Sequence, residues 1–338
     1  MNNGENIQNS QQLYAARQRY ELIGSRNNST AVSILIHAAI LFIGGNVISM
    51  LLMVMSGGRM LPMNVALPSA ILPIVAAIAA LVYSNGAGVP VKASEVFGKS
   101  RLSAGVIIPP VLMGLGLQGA VGIISDFIER SSGIDLNASG YIIESVLGEP
   151  VPSAVMLVYV ALIAPVCEEL VFRGIILKSL APSGMLSAAL TSSIIFGLSH
   201  GNLLQTVFAF FVGLLFARAA QKTGSLISSV IIHIAINLNS VIMTLLGMAM
   251  PEDVYLRVYN ISLTVSTVVG AATLAAVIRS SLRSRKPAAE RKLERAAAKK
   301  ETARFFRTAP AIGLLVLYGV QFLIITLSSL VVSFSGSA

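Results

Sequence analysis

Nine long apolar runs, separated by short polar stretches, occupy most of the chain: residues 31–55, 62–84, 103–126, 153–179, 185–200, 203–221, 225–248, 258–279 and 310–333. None shows the strict apolar–polar alternation of a half-buried strand. A run of about 20 apolar residues is long enough to cross the hydrocarbon of a bilayer as a helix. Backbone amides find no water there, so only helices or a closed barrel satisfy them, and the missing alternation selects helices. The pattern predicts an all-α polytopic membrane helix bundle of about nine transmembrane helices. It divides the chain into a polar segment 1–30, a bundle 31–279 with a chemically distinctive core at about 150–248, a basic segment 280–308 and a final transmembrane helix at 310–333.

Composition agrees with the pattern. Hydrophobic residues make up 55% of the 338 positions and charged residues only 12%, about half the charged share of a soluble domain. Residues 1–30 lack the short apolar segment of a cleaved signal, and the first run exceeds twenty residues, so it reads as a retained span.

Charge orients the spans. With nine crossings and the N-terminus in the cytosol, 20 of the 24 lysines and arginines fall on the inner side, eleven of them between Arg279 and Arg307. The outer loops hold only Arg59, Arg130 and Arg257. This bias predicts a cytosolic N-terminus and an external C-terminus. Residues 127–152 form the longest outer loop, with room for a short interfacial helix. In the basic stretch, Pro287 suits a helix start and the following alanines its body. That stretch serves as a solvated orientation anchor in the plainest reading, and as a contact for anionic lipid in the alternative.

Against this background the segment "VCEELVFRG", residues 166–174, stands out. A charge at the centre of a spanning helix costs roughly 3 kcal/mol, so such residues persist when they pair or serve a site. Glu169 and Arg173 are four positions apart and share a helix face. Glu168 is rotated from Glu169 by about 100° and needs another partner or a water-filled cavity. Pro165, three positions earlier, removes a backbone bond and opens the helix. The one cysteine, Cys167, has no disulfide partner and reads as a small packing residue.

Two further polar features follow. Phe196 and His200 are four apart in "FGLSHGN", where Gly201 and Asn202 make a turn between two short runs. His233 and Asn237 are four apart in "SVIIHIAINLNS", with Asn239 rotated away as packing or interhelical glue. The remaining histidine, His37, sits almost alone in the first run and reads as structural. Counted along ideal helices, Glu168 lies about 15 Å above Lys178 and His233 about 12 Å above Ser225. His200 counts to about 24 Å above Gly184, so its hairpin must tilt or sink to reach the same depth.

Each signal is weak alone: E-E-x-x-x-R, F-x-x-x-H and H-x-x-x-N. In this order, within a polytopic membrane protein, they resemble the CPBP family of intramembrane proteases. That family includes type II CAAX prenyl endopeptidases and bacterial Abi-type proteins. The matching residues are Glu168, Glu169 and Arg173; Phe196 and His200; His233 and Asn237. The resemblance covers about residues 150–248. It implies intramembrane endopeptidase activity on a membrane-associated peptide or protein, with a cavity open to the cytosol.

The residue types suit that chemistry. Peptide hydrolysis needs an activated water and donors for the oxyanion. Glu168 is the candidate general base, and His200 shares the water and moves a proton. His233 and Asn237 aim donors at one oxygen, while Glu169, Arg173 and Phe196 support. A metal reading stays open, with Glu168, Glu169, His200 and His233 as ligands of Zn²⁺. The absence of H-E-x-x-H, and asparagine as the fourth polar group, favour a mechanism without a cofactor. The rival classes are a transporter using the same buried charges, for which no repeated broken helices appear, and a catalytically silent scaffold. The expected surroundings are a lipid bilayer and no nucleic acid, in the bacterial plasma membrane.

Overall fold

The computed structural model describes residues 3–59, 61–92, 96, 102–132, 146, 148–283 and 286–335. Helices dominate it, and no strand occurs among the described residues. Helix α1 runs Asn3–Ala39 and continues through a π-helical turn, Ile40–Gly44, into Gly45–Met55. Then come α2 (Pro62–Gly86), α3 (Ala104–Ser132), α4 (Pro150–Ser183), α5 (Met185–Leu198), α6 (Leu203–Thr223), α7 (Ile227–Ala249), α8 (Glu252–Arg283), α9 (Ala288–Phe306) and α10 (Ala309–Ser335).

Among the described residues, eight helices are long and apolar enough to cross a membrane. The chain is an all-helical integral membrane protein. The ninth expected span is α5, which has only 14 residues, about 21 Å of helix. That is shorter than the hydrocarbon core of about 30 Å. It stops early because Gly201 takes φ +75° and Asn202 caps α6 by accepting from the Gln205 amide. The interfacial helix expected in the 127–152 loop falls on 133–145 and 147, outside the described residues; residues 127–132 continue α3.

Small residues set the helix crossings. Helices α3 and α8 make the most extensive contact in the bundle. A Cβ added to Gly116 would lie 2.6 Å from the Gly270 Cα, and one added to Gly119 would lie 2.6 Å from the Leu263 carbonyl. Backbones approach this closely only where side chains are absent, and lipid supplies no hydrophobic drive to replace that packing. Polar glue joins α3 to α7: Gln118 donates to Ser240 at 2.6 Å and accepts from Asn239 at 2.8 Å. Asn239 is thus an interhelical link.

Helix α9 is the basic segment, and Pro287 precedes its first turn. Ala298 and Phe305, seven apart, turn inward, while most of its charges face out. The Arg304 guanidinium lies 3.7 Å from the Tyr20 ring centre and donates to the Tyr20 carbonyl at 2.6 Å, tying α9 to α1. Lys286, before the helix, bonds Glu294 and Glu290, which hold its pKa above the ordinary lysine value.

Candidate active site

Helix α4 departs from regular α geometry on both sides of the two glutamates. Tyr159–Ile163 is π-helical, Ala164–Glu169 is α-helical, and Leu170–Leu177 is π-helical again. Pro165 sits in the first turn of the middle piece. A proline lacks the amide that would bond back along the helix, and a π-turn absorbs that irregularity. The expected opening at Pro165 therefore appears as a widened turn. The Val160 carbonyl in that turn accepts from Asn237 Nδ2 at 2.9 Å, and in the second π-helical piece the Phe172 carbonyl accepts from Ser192 Oγ at 2.8 Å.

Arg173 and Glu169 have fully buried side chains. Arg173 Nη1 donates to Glu169 Oε1 at 2.9 Å, and Nη2 donates to the Gly213 carbonyl of α6 at 3.0 Å. The guanidinium lies 4.5 Å from the Phe196 ring centre, 5.1 Å from Phe216 and 5.9 Å from Phe172. Three aromatic faces and one carboxylate thus replace water around a buried cation.

Two members of this cage extend towards the histidines. The His233 ring stacks on Phe216 with centres 4.7 Å apart. Its Nδ1–H donates to Glu169 Oε1 at 3.1 Å, which directs Nε2 towards Glu168, 3.7 Å from Oε2. Phe196 meets His200 edge-on at 4.9 Å and His233 edge-on at 5.8 Å. His200 Nδ1 bonds the Phe196 carbonyl at 2.8 Å, leaving Nε2 as the acceptor nitrogen. Phe196 is therefore the common neighbour of Arg173, His200 and His233.

Glu168 differs from Glu169. Its side chain is 26% exposed, against 0% for Glu169. It lies within electrostatic reach of His200, Arg173, Tyr159 and Tyr318. The structure thus brings Glu168, Glu169, Arg173, Phe196, His200 and His233 together, with α5 supplying His200 despite its shortness. Asn237 lies one turn beyond His233 on α7 and is occupied with Val160. His37 stays apart from the glutamates, buried edge-on against Phe172 at 6.2 Å. Gly213, Phe216, Tyr159 and Tyr318 were not legible in the sequence, because each is an ordinary residue of an apolar run. A cavity of about 160 Å³ opens at the basic end of α4, lined by Leu177, Lys178, Gln221 and Leu226, and touches Arg173. Among the described residues, no group of three or more His, Cys, Asp or Glu side chains is placed to hold a metal ion.

Residues 150–239 match the family model described as Type II CAAX prenyl endopeptidase Rce1-like. The matched segment contains every residue of the cluster except Tyr318. The match spans 90 of the 338 residues, and in this central segment the chain is similar to the CPBP family of intramembrane CAAX-type proteases. Among curated proteins and among solved structures, none matches.

Proposed function

We propose that the protein is an endopeptidase of the bacterial plasma membrane that hydrolyses a peptide bond of a membrane-associated protein or peptide, using water activated by Glu168. One observation carries this reading: a partly exposed glutamate stands beside a buried Arg173–Glu169–His233 chain. The buried chain holds charge and orientation, and the exposed carboxylate is left to react.

In this mechanism the Glu168 carboxylate takes a proton from water as the hydroxyl adds to the scissile carbonyl. His200, with Nε2 unprotonated, shares that water. The oxyanion forms on the side of His233, whose ring Glu169 holds in place. Protonated on Nε2, His233 is a charged donor to that oxygen. Asn237 supplies the second donor once its amide exchanges the Val160 carbonyl for the oxyanion. The proton on Glu168 then passes to the leaving amine, directly or through His200, and the bond breaks.

A mechanism without metal is favoured by the use already made of Glu169. Its Oε1 serves both Arg173 and His233 Nδ1, so two of the four residues of a zinc set are bonded to each other. Chelation followed by zinc addition to purified protein tests this point. Activity lost on metal removal and restored by stoichiometric zinc would replace the glutamate mechanism.

The experiment for the function itself compares membranes carrying wild-type protein with membranes carrying Glu168→Gln, by labelling newly formed protein amino termini. A set of termini present only with the wild type is the expected result. Identical sets would remove the protease reading.

A further inference from the structure

Helix α10 lies wholly outside the segment matched by the family model, yet it packs against the turn that carries His200. Tyr318 lies about 14 Å along α10 from Ala309, counted at 1.5 Å per residue, close to the depth of Glu168 above Lys178. One turn later the helix meets the His200 turn. A Cβ added to Gly201 would lie 2.5 Å from Ile325 Cδ1 and 3.1 Å from Gln321 Nε2. Gly201 also needs its positive φ, so a glycine there permits both the turn and the close approach of α10.

The Tyr318 side chain is 5% exposed, and its ring belongs to the apolar cluster that includes Phe172, Phe196 and Leu314. Its hydroxyl is buried and has no hydrogen-bond partner among the described residues. Buried tyrosine hydroxyls normally find a partner, and inside a membrane the cost of leaving one unmade is not relieved by solvent. Glu168 is within electrostatic reach of this hydroxyl. A phenylalanine would fill the same space without that cost.

We infer that Tyr318 is a substrate-contacting residue, its hydroxyl donating a hydrogen bond to the peptide bound beside Glu168. The inference rests on the proteolytic reading above and adds to it a wall of the site built from the last helix. Cleavage then needs α10 as well as the four central helices.

The test compares wild type, Glu168→Gln, Tyr318→Phe and Tyr318→Leu in the same amino-terminal labelling experiment, followed by kinetics on a peptide spanning a cleaved bond. Tyr318→Phe should keep its melting temperature and yield while kcat/KM falls about tenfold, the effect of one lost hydrogen bond. Tyr318→Leu removes the ring as well and should lower melting temperature and cleavage together. Tyr318→Phe cleaving like wild type, while Glu168→Gln does not cleave, would overturn this inference and leave the protease reading intact. So would a Tyr318→Phe protein whose cleavage falls only in proportion to its folded yield, since that assigns the hydroxyl to packing. If Glu168→Gln changes no termini, the protease reading fails and the role of Tyr318 fails with it.

Discussion

His233 Nδ1 donates to Glu169 Oε1 at 3.1 Å, and that same oxygen accepts from Arg173 at 2.9 Å. Helix spacing indicates only the second bond, because Glu169 and Arg173 share a helix whereas His233 is 64 positions away. The first bond converts an intrahelical pair into a link between α4 and α7. It also orients the imidazole, so that its other nitrogen faces Glu168.

This arrangement separates the two glutamates experimentally. Glu168→Gln preserves size but cannot take a proton, and it should lower turnover by about 10²–10⁴-fold with an unchanged melting temperature. Arg173→Ala leaves the Glu169 carboxylate buried without its cation, and should destabilise the fold by about 3 kcal/mol while also reducing activity. Thermal melting in detergent and turnover of a quenched peptide check both. Equal losses of melting temperature in the two variants would mean that Glu168 is structural.

Asn237 and His37 separate in a different way. Asn237→Ala frees the Val160 carbonyl in the π-turn and removes a donor from the site, so melting temperature and cleavage should fall together. His37→Ala should cleave at the wild-type rate, since its ring touches Phe172 and not the glutamates. An inactive His37→Ala protein with normal melting would place the site on other helices.

Gly213 is a sensitive point of the cage. A Cβ there would lie 3.1 Å from Phe196 Cδ1 and 3.2 Å from both Arg173 Nη2 and Ser193 Cβ. Gly213→Ala should therefore displace the guanidinium or the Phe196 ring, reducing turnover by more than it reduces stability. Activity and melting are measured on the same preparation. A variant with wild-type turnover would show that the cage yields without disturbing His200 and His233.

The α3–α8 crossing is expected to be structural alone. Gly270→Ala places a Cβ 2.5 Å from the Gly116 Cα and should lower melting temperature and yield. Gly319→Ala is the control, because nothing lies within 4 Å of its added Cβ. It should match or slightly exceed the wild type, as alanine favours the helix. Equal melting of the two variants would show that α3 and α8 separate at little cost.

Helix existence was legible because hydrocarbon imposes one demand on every spanning segment: apolar side chains outside and satisfied amides within. The run at 185–200 was the exception. Its composition is that of a span, but its length is set by Gly201 and Asn202, which end the helix before it can cross. Span edges blur for a related reason. Polar residues 12–30 and 280–283 extend helices α1 and α8 past their apolar runs, and hydropathy does not register a helix in water.

The sequence by itself determined the chemistry on offer: which seven polar or aromatic residues stand in otherwise apolar helices, and that Glu169 faces Arg173 one turn away. Those facts are local, fixed by helical spacing within a few residues. Only the tertiary structure decided which glutamate is left partly exposed, that His233 bonds Glu169, that Asn237 holds the Val160 carbonyl, and that Gly213, Phe216 and Tyr318 border the site. Those relations depend on how separate helices cross and rotate against one another. An apolar residue costs the same in lipid whichever face it occupies, so the sequence carries no periodic signal for that rotation, and packing of small and aromatic side chains sets it instead.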